Sequence, residues 1–231
     1  MMIIGGWQKN SFIDYPGKIS CVLFFSGCNF ECPHCYNPDL ARGKPSVVLE
    51  EHRVYEFLRR RKDFLDGVVL SGGEPTLNKG LFALCETIKK MGYPIKLDTN
   101  GSRPQMIQEL LDKGFVDYIA MDIKTDPFNY SPLIQKDCDP ELILASIQII
   151  MQSAIAYEFR TTCIKPLVNA SVVASIGRRI KGARFYALQR FINVRVLHPE
   201  FFENTDCEFD DNELLHLKSV AEPFVNKCIV R

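Results

Sequence analysis

Three cysteines close together in the sequence are the residues best suited to chemistry. Cys28, Cys32 and Cys35 have the spacing C-x3-C-x2-C, which places three thiolates on one short loop. Iron–sulfur clusters are held by cysteine thiolates, normally one for each iron. Three thiolates therefore leave one iron of a [4Fe-4S] cluster without a protein ligand, so that this iron can bind a small molecule. The triad predicts an iron–sulfur cluster with an open coordination position.

A zinc ion is the alternative occupant of this loop. A closed structural zinc site needs four protein ligands, so His34 or a distant cysteine would have to complete the set. His34 is too close in the chain to both neighbouring cysteines to join them comfortably on one ion. It is otherwise expected to be a loop residue beside the cluster. The other cysteines show no spacing for a second cluster, namely Cys21, Cys85, Cys138, Cys163, Cys207 and Cys228.

The elements that must position this loop alternate between strands and helices. Apolar, β-rich runs predict strands over 19–25, 67–70, 95–97, 116–121, 157–162 and 185–188. Helical spacing and stop signals predict helices over 49–61, 81–91, 104–113, 140–151, 171–180 and 213–221. Residues 225–230 fit a terminal strand or a tail. This alternation implies a parallel sheet with right-handed crossovers. We therefore predict an α/β fold, a partial (β/α)6 barrel of parallel strands, with the cluster loop after its first strand.

The length of 231 residues suits one domain of this kind. No linker rich in proline or glycine and no internal repeat divides the chain. We expect an N-terminal lead-in over 1–18, a barrel core over 19–190 and a C-terminal extension over 191–231.

Composition limits the partners and the compartment. The formal net charge is zero, which gives no support for a nucleic-acid or membrane surface. The nine cysteines are odd in number, and the first residues lack the pattern of a signal peptide. No apolar run approaches the length of a transmembrane helix. We expect a cytoplasmic protein with reduced thiols.

Further polar motifs follow the predicted strands. They are Gly-Gly-Glu-Pro at 72–75, Asp-Thr-Asn-Gly at 98–101 and Asp-Ile-Lys at 122–124, while Arg160 lies in the fifth strand. Each motif alone could be an ordinary turn, and Arg160 could form a structural salt bridge. Parallel α/β folds carry their sites at the carboxyl ends of the strands, so we expect these residues to converge on one rim.

The cysteine spacing and the 72–75 motif resemble the signatures of the radical S-adenosylmethionine enzymes. In that family the open iron binds the amino and carboxylate groups of S-adenosylmethionine, and one electron cleaves the cosubstrate to a 5′-deoxyadenosyl radical. The resemblance implies that the three cysteines hold the cluster. It also implies that the turn at Gly72 and Gly73 binds the methionine amino group. Glu74 would anchor this loop or add to its polar surroundings. No protein acid or base is required.

The motifs at 98–101 and 122–124 resemble those of the glycyl-radical-enzyme activating enzymes. The resemblance implies that Asp98 and Asp122 bind a monovalent cation, with Thr99 assisting. Lys124 would pair with the methionine carboxylate as a compact point charge.

Two further residues are assigned to the nucleoside part of the cosubstrate by the same resemblance. Arg160 would reach the ribose or adenine region, and Gln189, which follows the sixth strand, would contact the adenine.

The segment 11–18, with the pattern S-x-x-D-Y-P-G-K, resembles the lead-in of anaerobic ribonucleoside-triphosphate reductase activating proteins. This implies an enzyme that places a glycyl radical on an anaerobic ribonucleotide reductase, with a low-potential donor such as flavodoxin or ferredoxin. Two alternatives stay open. One is a small-molecule radical enzyme of the 7-carboxy-7-deazaguanine synthase type, and the other is a zinc-binding interaction module.

Overall fold

The computed structural model describes residues 2–130, 134, 139–203 and 206–231. The described chain forms two compact units that alternate along the sequence. The first unit comprises the described residues within 1–29, 37–99 and 105–119, and the second comprises those within 30–36, 100–104 and 120–231. The prediction of one domain in three parts stays a prediction.

The first unit is built on four strands in the order of the sequence. They are β1 (Ile4–Tyr15), β2 (Lys18–Phe25), β3 (Gly67–Gly72) and β4 (Ile95–Thr99). β1 is antiparallel to β2, whereas β2, β3 and β4 are parallel, with Leu23 opposite Leu70 and Leu70 opposite Leu97. These leucines are fully buried. Continuous apolar burial of this kind is typical of the parallel strands of α/β proteins.

Three of the four described helices of this unit lie at predicted positions, and the short first helix was not predicted. The four helices are the short α1 (Pro38–Ala41), then α2 (Glu51–Arg60), α3 (Leu81–Lys90) and α4 (Pro104–Asp112), of which α4 begins at the unit boundary. Glycines at 92 and 114 have positive φ just after α3 and α4. A left-handed residue after the last turn is a common way for a helix to end, and glycine adopts it without steric cost.

The second unit continues the alternation of strands and helices. β5 (Tyr118–Asp122) crosses the boundary, and β6 (Ala156–Cys163), β7 (Tyr186–Arg190) and β8 (Cys228–Val230) are parallel neighbours in that order. The helices are α5 (Pro140–Gln152), α6 (Ala170–Arg179) and α7 (Asp211–Ala221). Asp210 and Glu213 form a reciprocal capping box at the start of α7. None of the described helices is long and apolar enough to cross a membrane.

The predicted α/β fold with parallel strands is confirmed. Of residues 225–230, which were expected to form a strand or a tail, only 228–230 form the strand β8. The N-terminal segment differs from the prediction. The pattern of residues 1–18 predicts no strand, whereas the structure has the twelve-residue β1. Its glycines, lysine and asparagine have low β propensity, and its pairing with β2 shifts register three times. Pairing with a strongly apolar neighbour therefore outweighs local preference.

Candidate active site

The first half of the cluster loop belongs to the first unit. It leaves β2 at Phe25, and the backbone N–H groups of Gly27 and Cys28 donate to the carbonyls of Leu40 and Ala41, at 2.7 and 3.1 Å. The short helix α1 therefore fixes the backbone on which Cys28 stands. The Cys28 side chain is half-buried and forms no disulfide.

The second half of the loop, residues 30–36, belongs to the second unit. The N–H of Cys35 donates to the carbonyl of Cys32 at 3.0 Å, which closes a tight turn between these two cysteines. Glu31 N–H donates to Ile134 O at 2.8 Å, and His198 N–H donates to Pro33 O at 3.1 Å. Segments far away in the sequence thus hold the turn, and neither of its cysteines forms a disulfide.

An aromatic stack fastens the end of this loop. The ring of Tyr36 stacks on Phe191 with centroids 6.0 Å apart, and Phe191 stacks on Phe202 at 5.1 Å. The Tyr36 hydroxyl also accepts a hydrogen bond from the N–H of Ile192 at 3.0 Å. The sequence alone left residues 191–202 without a role. The only available signal was the density of phenylalanines in this stretch, which does not show what they contact.

His34 is buried beside the cluster cysteines without a partner for its ring. The residue is 4% exposed, and neither ring nitrogen has a hydrogen bond. Burial and the nearby charge of Lys124 lower the pKa of His34 to about 3, although Asp122 opposes this shift. A neutral imidazole with two unmet hydrogen bonds is costly inside a protein unless a bound group satisfies them.

The residues of the loop fit a [4Fe-4S] cluster. None of the three cysteines on this loop forms a disulfide, and the imidazole of His34, which stands between two of them in the sequence, is buried with neither ring nitrogen hydrogen-bonded. Within the described residues, no three His, Cys, Asp or Glu side chains are grouped to hold a single metal ion. Cys138, which the sequence predicts to be unrelated to the cluster, lies outside the described residues.

Gly72, the last residue of β3, and Gly73 are required because the backbone here lies very close to another segment of the first unit. A Cβ atom added to Gly73 would lie 2.1 Å from the carbonyl oxygen of Gly27, and one added to Gly72 would lie 2.4 Å from the nitrogen of Phe25. Gly73 N–H donates to Phe25 O at 2.8 Å, and Glu74 N–H donates to Gly27 O at 2.9 Å. The glycine turn is therefore bonded to the start of the cluster loop. Its contact with the methionine amino group stays a prediction.

Glu74 anchors this turn to the end of β4. Its carboxylate is 1% exposed and accepts hydrogen bonds from the Thr76 N–H at 3.1 Å and from the Thr99 hydroxyl at 2.8 Å. Glu74 thus connects the loop after β3 to the end of β4, and its role toward the cosubstrate stays a prediction. This geometry also places Thr99 in the group, bonded through its hydroxyl to the loop after β3.

Asp98 is paired with a lysine that the sequence analysis did not single out. Its carboxylate accepts a hydrogen bond from the Ser71 hydroxyl at 3.0 Å and forms an ion pair with Lys96 Nζ. The Lys96 side chain is only 2% exposed. Residues two apart in a strand point to the same face, so the Lys-Leu-Asp order was a usable signal for this pair.

Asp122 forms ion pairs with two cationic side chains in the second unit. Arg160 Nε donates to its carboxylate at 2.7 Å and Lys124 Nζ donates at 3.0 Å. Burial alone would raise the pKa of Asp122, but the charges of Arg160 and Lys124 hold it well below its usual range. The salt bridge that was the alternative for Arg160 is thus present, and its contact with the ribose or adenine stays a prediction.

Lys124 links this carboxylate to the cluster loop. Burial would lower the pKa of Lys124, but the negative charges of Asp122 and of the Cys32 thiolate raise it above its usual value. The Lys124 N–H also donates to the Tyr130 hydroxyl at 2.9 Å. Lys124 is therefore held as a cation close to a cluster cysteine.

The two aspartates expected to bind a monovalent cation are already paired with cationic side chains. Asp98 is already neutralised by Lys96, and Asp122 faces both Lys124 and Arg160. A further cation about 4 Å from one of these fixed charges would be repelled by about 4 kcal/mol at an effective dielectric constant near 20.

Gln189 shares a face with Arg160 in the second unit. The register of β6 and β7 sets Arg160 opposite Ala187 and Thr162 opposite Gln189. Opposed residues and residues two apart lie on one face of a sheet. Gln189 is half-buried, and its contact with adenine stays a prediction.

The predicted site residues fall into two groups. Within the first unit, the described contacts bring together Gly72, Gly73, Glu74, Asp98 and Thr99. Within the second unit, Asp122, Lys124 and Arg160 form one charged group near Cys32 and His34. Sequence reasoning missed Lys96, the aromatic stack and the unpartnered state of His34.

Comparison with known proteins extends over the whole chain. A protein of Methanocaldococcus jannaschii named as a glycyl-radical enzyme activating enzyme, MJ1227, is 31% identical over 99% of this chain and 95% of its own length. The 7-carboxy-7-deazaguanine synthase of Haemophilus influenzae is 29% identical, over 59% of this chain and 56% of its own length.

The fold is also found among solved structures. The crystal structure of a radical SAM methyltransferase from Sphaerobacter thermophilus superimposes with a TM-score of 0.68, at 15% identity, over 96% of this chain and 68% of that chain. Residues 22–169 match the family model of the Radical SAM superfamily. This match spans the cluster loop, the glycine turn and both aspartate groups, and the chain belongs to the radical S-adenosylmethionine superfamily.

Proposed function

We propose that this chain is an activating enzyme that cleaves S-adenosylmethionine and generates a glycyl radical on a partner enzyme. The observation that carries the proposal is the match over 99% of the chain to a protein named as a glycyl-radical enzyme activating enzyme. The match to the 7-carboxy-7-deazaguanine synthase of Haemophilus influenzae covers 59% of the chain. The S-x-x-D-Y-P-G-K segment at 11–18 supports an anaerobic ribonucleotide reductase as the partner.

In this proposal Cys28, Cys32 and Cys35 hold a [4Fe-4S] cluster. When bound, the cluster supplies one electron to S-adenosylmethionine, and a donor such as flavodoxin or ferredoxin in the cytoplasm replenishes it. The protein contributes binding, orientation and electrostatics. The turn between Cys32 and Cys35 and the stack of Tyr36 on Phe191 give two of the three thiolates a fixed backbone.

The charged group of the second unit orients the cosubstrate. Lys124 is kept cationic by its neighbours and is 16% exposed, so a methionine carboxylate can reach its ammonium group. The Asp122 carboxylate holds this ammonium in place through an ion pair, and Arg160 in turn holds the Asp122 carboxylate. A charge-assisted contact of this kind is about twice as strong as a neutral hydrogen bond.

The glycine turn orients the other end of the amino acid. The hydrogen bond between Thr99 and Glu74 fixes the turn. Because Gly72 and Gly73 have no side chains, the backbone of the turn can lie against the start of the cluster loop. The carbonyl oxygens of this turn are suited to accept hydrogen bonds from the methionine amino group. No group in this account transfers a proton to or from the reacting carbon–sulfur bond.

The proposal is tested with reconstituted protein, reductant, S-adenosylmethionine and a cognate anaerobic reductase under exclusion of oxygen. We expect 5′-deoxyadenosine to accumulate while a stable glycyl radical signal grows on the partner. Cys28→Ala, Cys32→Ala and Cys35→Ala should each abolish both, whereas Cys207→Ala should not. Formation of 5′-deoxyadenosine with consumption of a pterin substrate and no radical on any candidate partner would favour the 7-carboxy-7-deazaguanine synthase alternative.

A further inference from the structure

We propose that the side chain of Lys96 takes the place of a monovalent cation beside Asp98, so that this chain binds S-adenosylmethionine without a requirement for K⁺ or Na⁺. The inference rests on the proposed cosubstrate site, but not on which partner enzyme the chain activates. It replaces the expectation that Asp98 and Asp122 bind an inorganic cation.

The geometry of β4 places the Lys96 ammonium beside Asp98. Lys96 and Asp98 are two residues apart in the strand and share a face, and the Lys96 ammonium is ion-paired with the Asp98 carboxylate. Ser71 on the neighbouring strand β3 donates its hydroxyl to the other carboxylate oxygen at 3.0 Å. Both oxygens of Asp98 therefore receive donors from regular strands, whose positions are set by the sheet.

Burial fixes the charge state of the pair. The Lys96 side chain is 2% exposed and that of Asp98 is 12% exposed. An ammonium group so deeply buried needs a hydrogen-bonded opposite charge, and Asp98 supplies it. The ring of Tyr118, whose centroid is 5.8 Å from Lys96 Nζ, gives the same ammonium a second favourable neighbour.

The Lys96 ammonium does what a bound cation would do for this turn. Asp98 opens the Asp-Thr-Asn-Gly motif, and Thr99 bonds to Glu74 below the glycine turn. The positive charge of Lys96, paired with the Asp98 carboxylate, therefore stabilises the end of β4. This end lies next to the residues proposed to hold the cosubstrate. An inorganic cation on the same carboxylate would have to displace the lysine or lie against it.

A second lysine–aspartate pair in the first unit provides a control. Lys89 Nζ contacts the Asp117 carboxylate at 2.8 Å, but the two side chains are 29% and 38% exposed. Lys89 lies in the last turn of α3, and Asp117 directly precedes β5. This pair has the same chemistry as Lys96 and Asp98, and it lies outside every motif assigned to the cosubstrate. Removing its charge tests the general cost of losing a lysine in this unit.

The test measures S-adenosylmethionine binding to the anaerobically reconstituted protein in chloride salts of potassium, sodium or choline. All three are used at about 100 mM, so that ionic strength is matched and screening is equal. For the natural protein we expect affinities that agree within about two-fold in the three salts. A natural protein that binds about ten-fold more weakly in choline than in potassium would overturn the proposal.

The variants reverse this behaviour. Lys96→Met keeps the apolar stem but leaves the Asp98 carboxylate without its ammonium, so potassium should now fill the position. We expect about ten-fold weaker binding in choline and recovery of most of that loss in potassium. Lys96→Arg keeps the charge, and Lys89→Met removes a charge elsewhere; both should show the same affinity in all three salts.

The readout separates this inference from the proposed function. Iron content and the circular dichroism spectrum confirm that each variant carries its cluster and is folded. A folded Lys96→Met protein that binds equally well in all salts would overturn the role of Lys96, even if the natural protein activates its partner. If Lys96→Met does not fold, the comparison of salts on the natural protein and on Lys96→Arg decides the question alone.

Discussion

Two aspartates near the ends of strands that follow each other in the sequence, Asp98 in β4 and Asp122 in β5, are neutralised in different ways. Asp98 is paired with a lysine from its own strand, which is 2% exposed. Asp122 is paired with Lys124 from the following loop and Arg160 from β6, which are 16% and 13% exposed. The first pair is closed to a ligand, whereas the second keeps an ammonium group that a ligand can reach.

The difference shows how one residue type can serve as structure in one place and as a binding group in another. A buried pair made of strand residues contributes to the fold and has no need of the cosubstrate. A carboxylate shared between two cations leaves one of them able to bind a second anion. Lys124, rather than Lys96, is therefore the residue expected to hold the methionine carboxylate.

The largest effect should follow from removing that reachable ammonium. Lys124→Ala should weaken S-adenosylmethionine binding by about ten- to a hundred-fold, because a charge-assisted contact is lost. Equilibrium binding to the reconstituted protein measures this, and iron content should stay unchanged. Lys165→Ala provides a control, since this lysine pairs with Asp206 and Glu213 outside the proposed site. If both variants lose the same amount of S-adenosylmethionine affinity, Lys124 has no special role compared with another lysine of the second unit.

Breaking the buried pair of Lys96 and Asp98 should mainly lower the stability of the protein, and by a large amount. Asp98→Asn leaves the Lys96 ammonium buried without its counter-charge, which is expected to cost about 3 kcal/mol of unfolding free energy. The double variant Asp98→Asn with Lys96→Met should recover part of this loss, because no unpaired charge remains. Chemical denaturation of both proteins measures the difference. An Asp98→Asn protein as stable as the natural one would show that Lys96 does not depend on Asp98.

A smaller effect is expected at Asp122, because its removal leaves two cations that water and the cosubstrate can reach. Asp122→Asn should lower the free energy of unfolding by less than Asp98→Asn does, by about 1 kcal/mol. It should weaken S-adenosylmethionine binding, since Lys124 and Arg160 lose the group that positions them. The same denaturation experiment, together with equilibrium binding, provides the measurement. A loss of stability larger than that of Asp98→Asn would reverse the comparison.

The smallest effect should come from the hydrogen bond that fastens the cluster loop to the C-terminal segment. Tyr36→Phe keeps the stack on Phe191 but removes the hydroxyl that accepts a hydrogen bond from the Ile192 N–H, at a cost of about 0.5 kcal/mol. The retention of iron against a chelator should fall slightly. Phe191→Ala, which removes the stack itself, should release iron faster than Tyr36→Phe. Equal rates for both variants and the natural protein would show that the stack does not hold the loop.

The order of strands and helices and the cysteine triad could be predicted from the sequence, because apolar periodicity and ligand spacing are local signals. β1 could not, since its pairing with β2 outweighs its own weak β propensity. The partners of the site residues were likewise set by the fold. Nothing near Arg160 in the sequence indicates Asp122, and nothing near Tyr36 indicates Phe191. Lys96 was the exception, because its distance of two residues from Asp98 in a strand was visible beforehand.

The central claim is that this radical S-adenosylmethionine protein takes a hydrogen atom from a partner's glycine. It is tested most directly with a cognate anaerobic reductase that carries deuterium at the glycine Cα. After anaerobic reaction with reduced protein and S-adenosylmethionine, mass spectrometry of the 5′-deoxyadenosine should show one deuterium in its methyl group, in step with the glycyl radical signal. Unlabelled 5′-deoxyadenosine from a mixture in which the partner gains no radical would contradict the account.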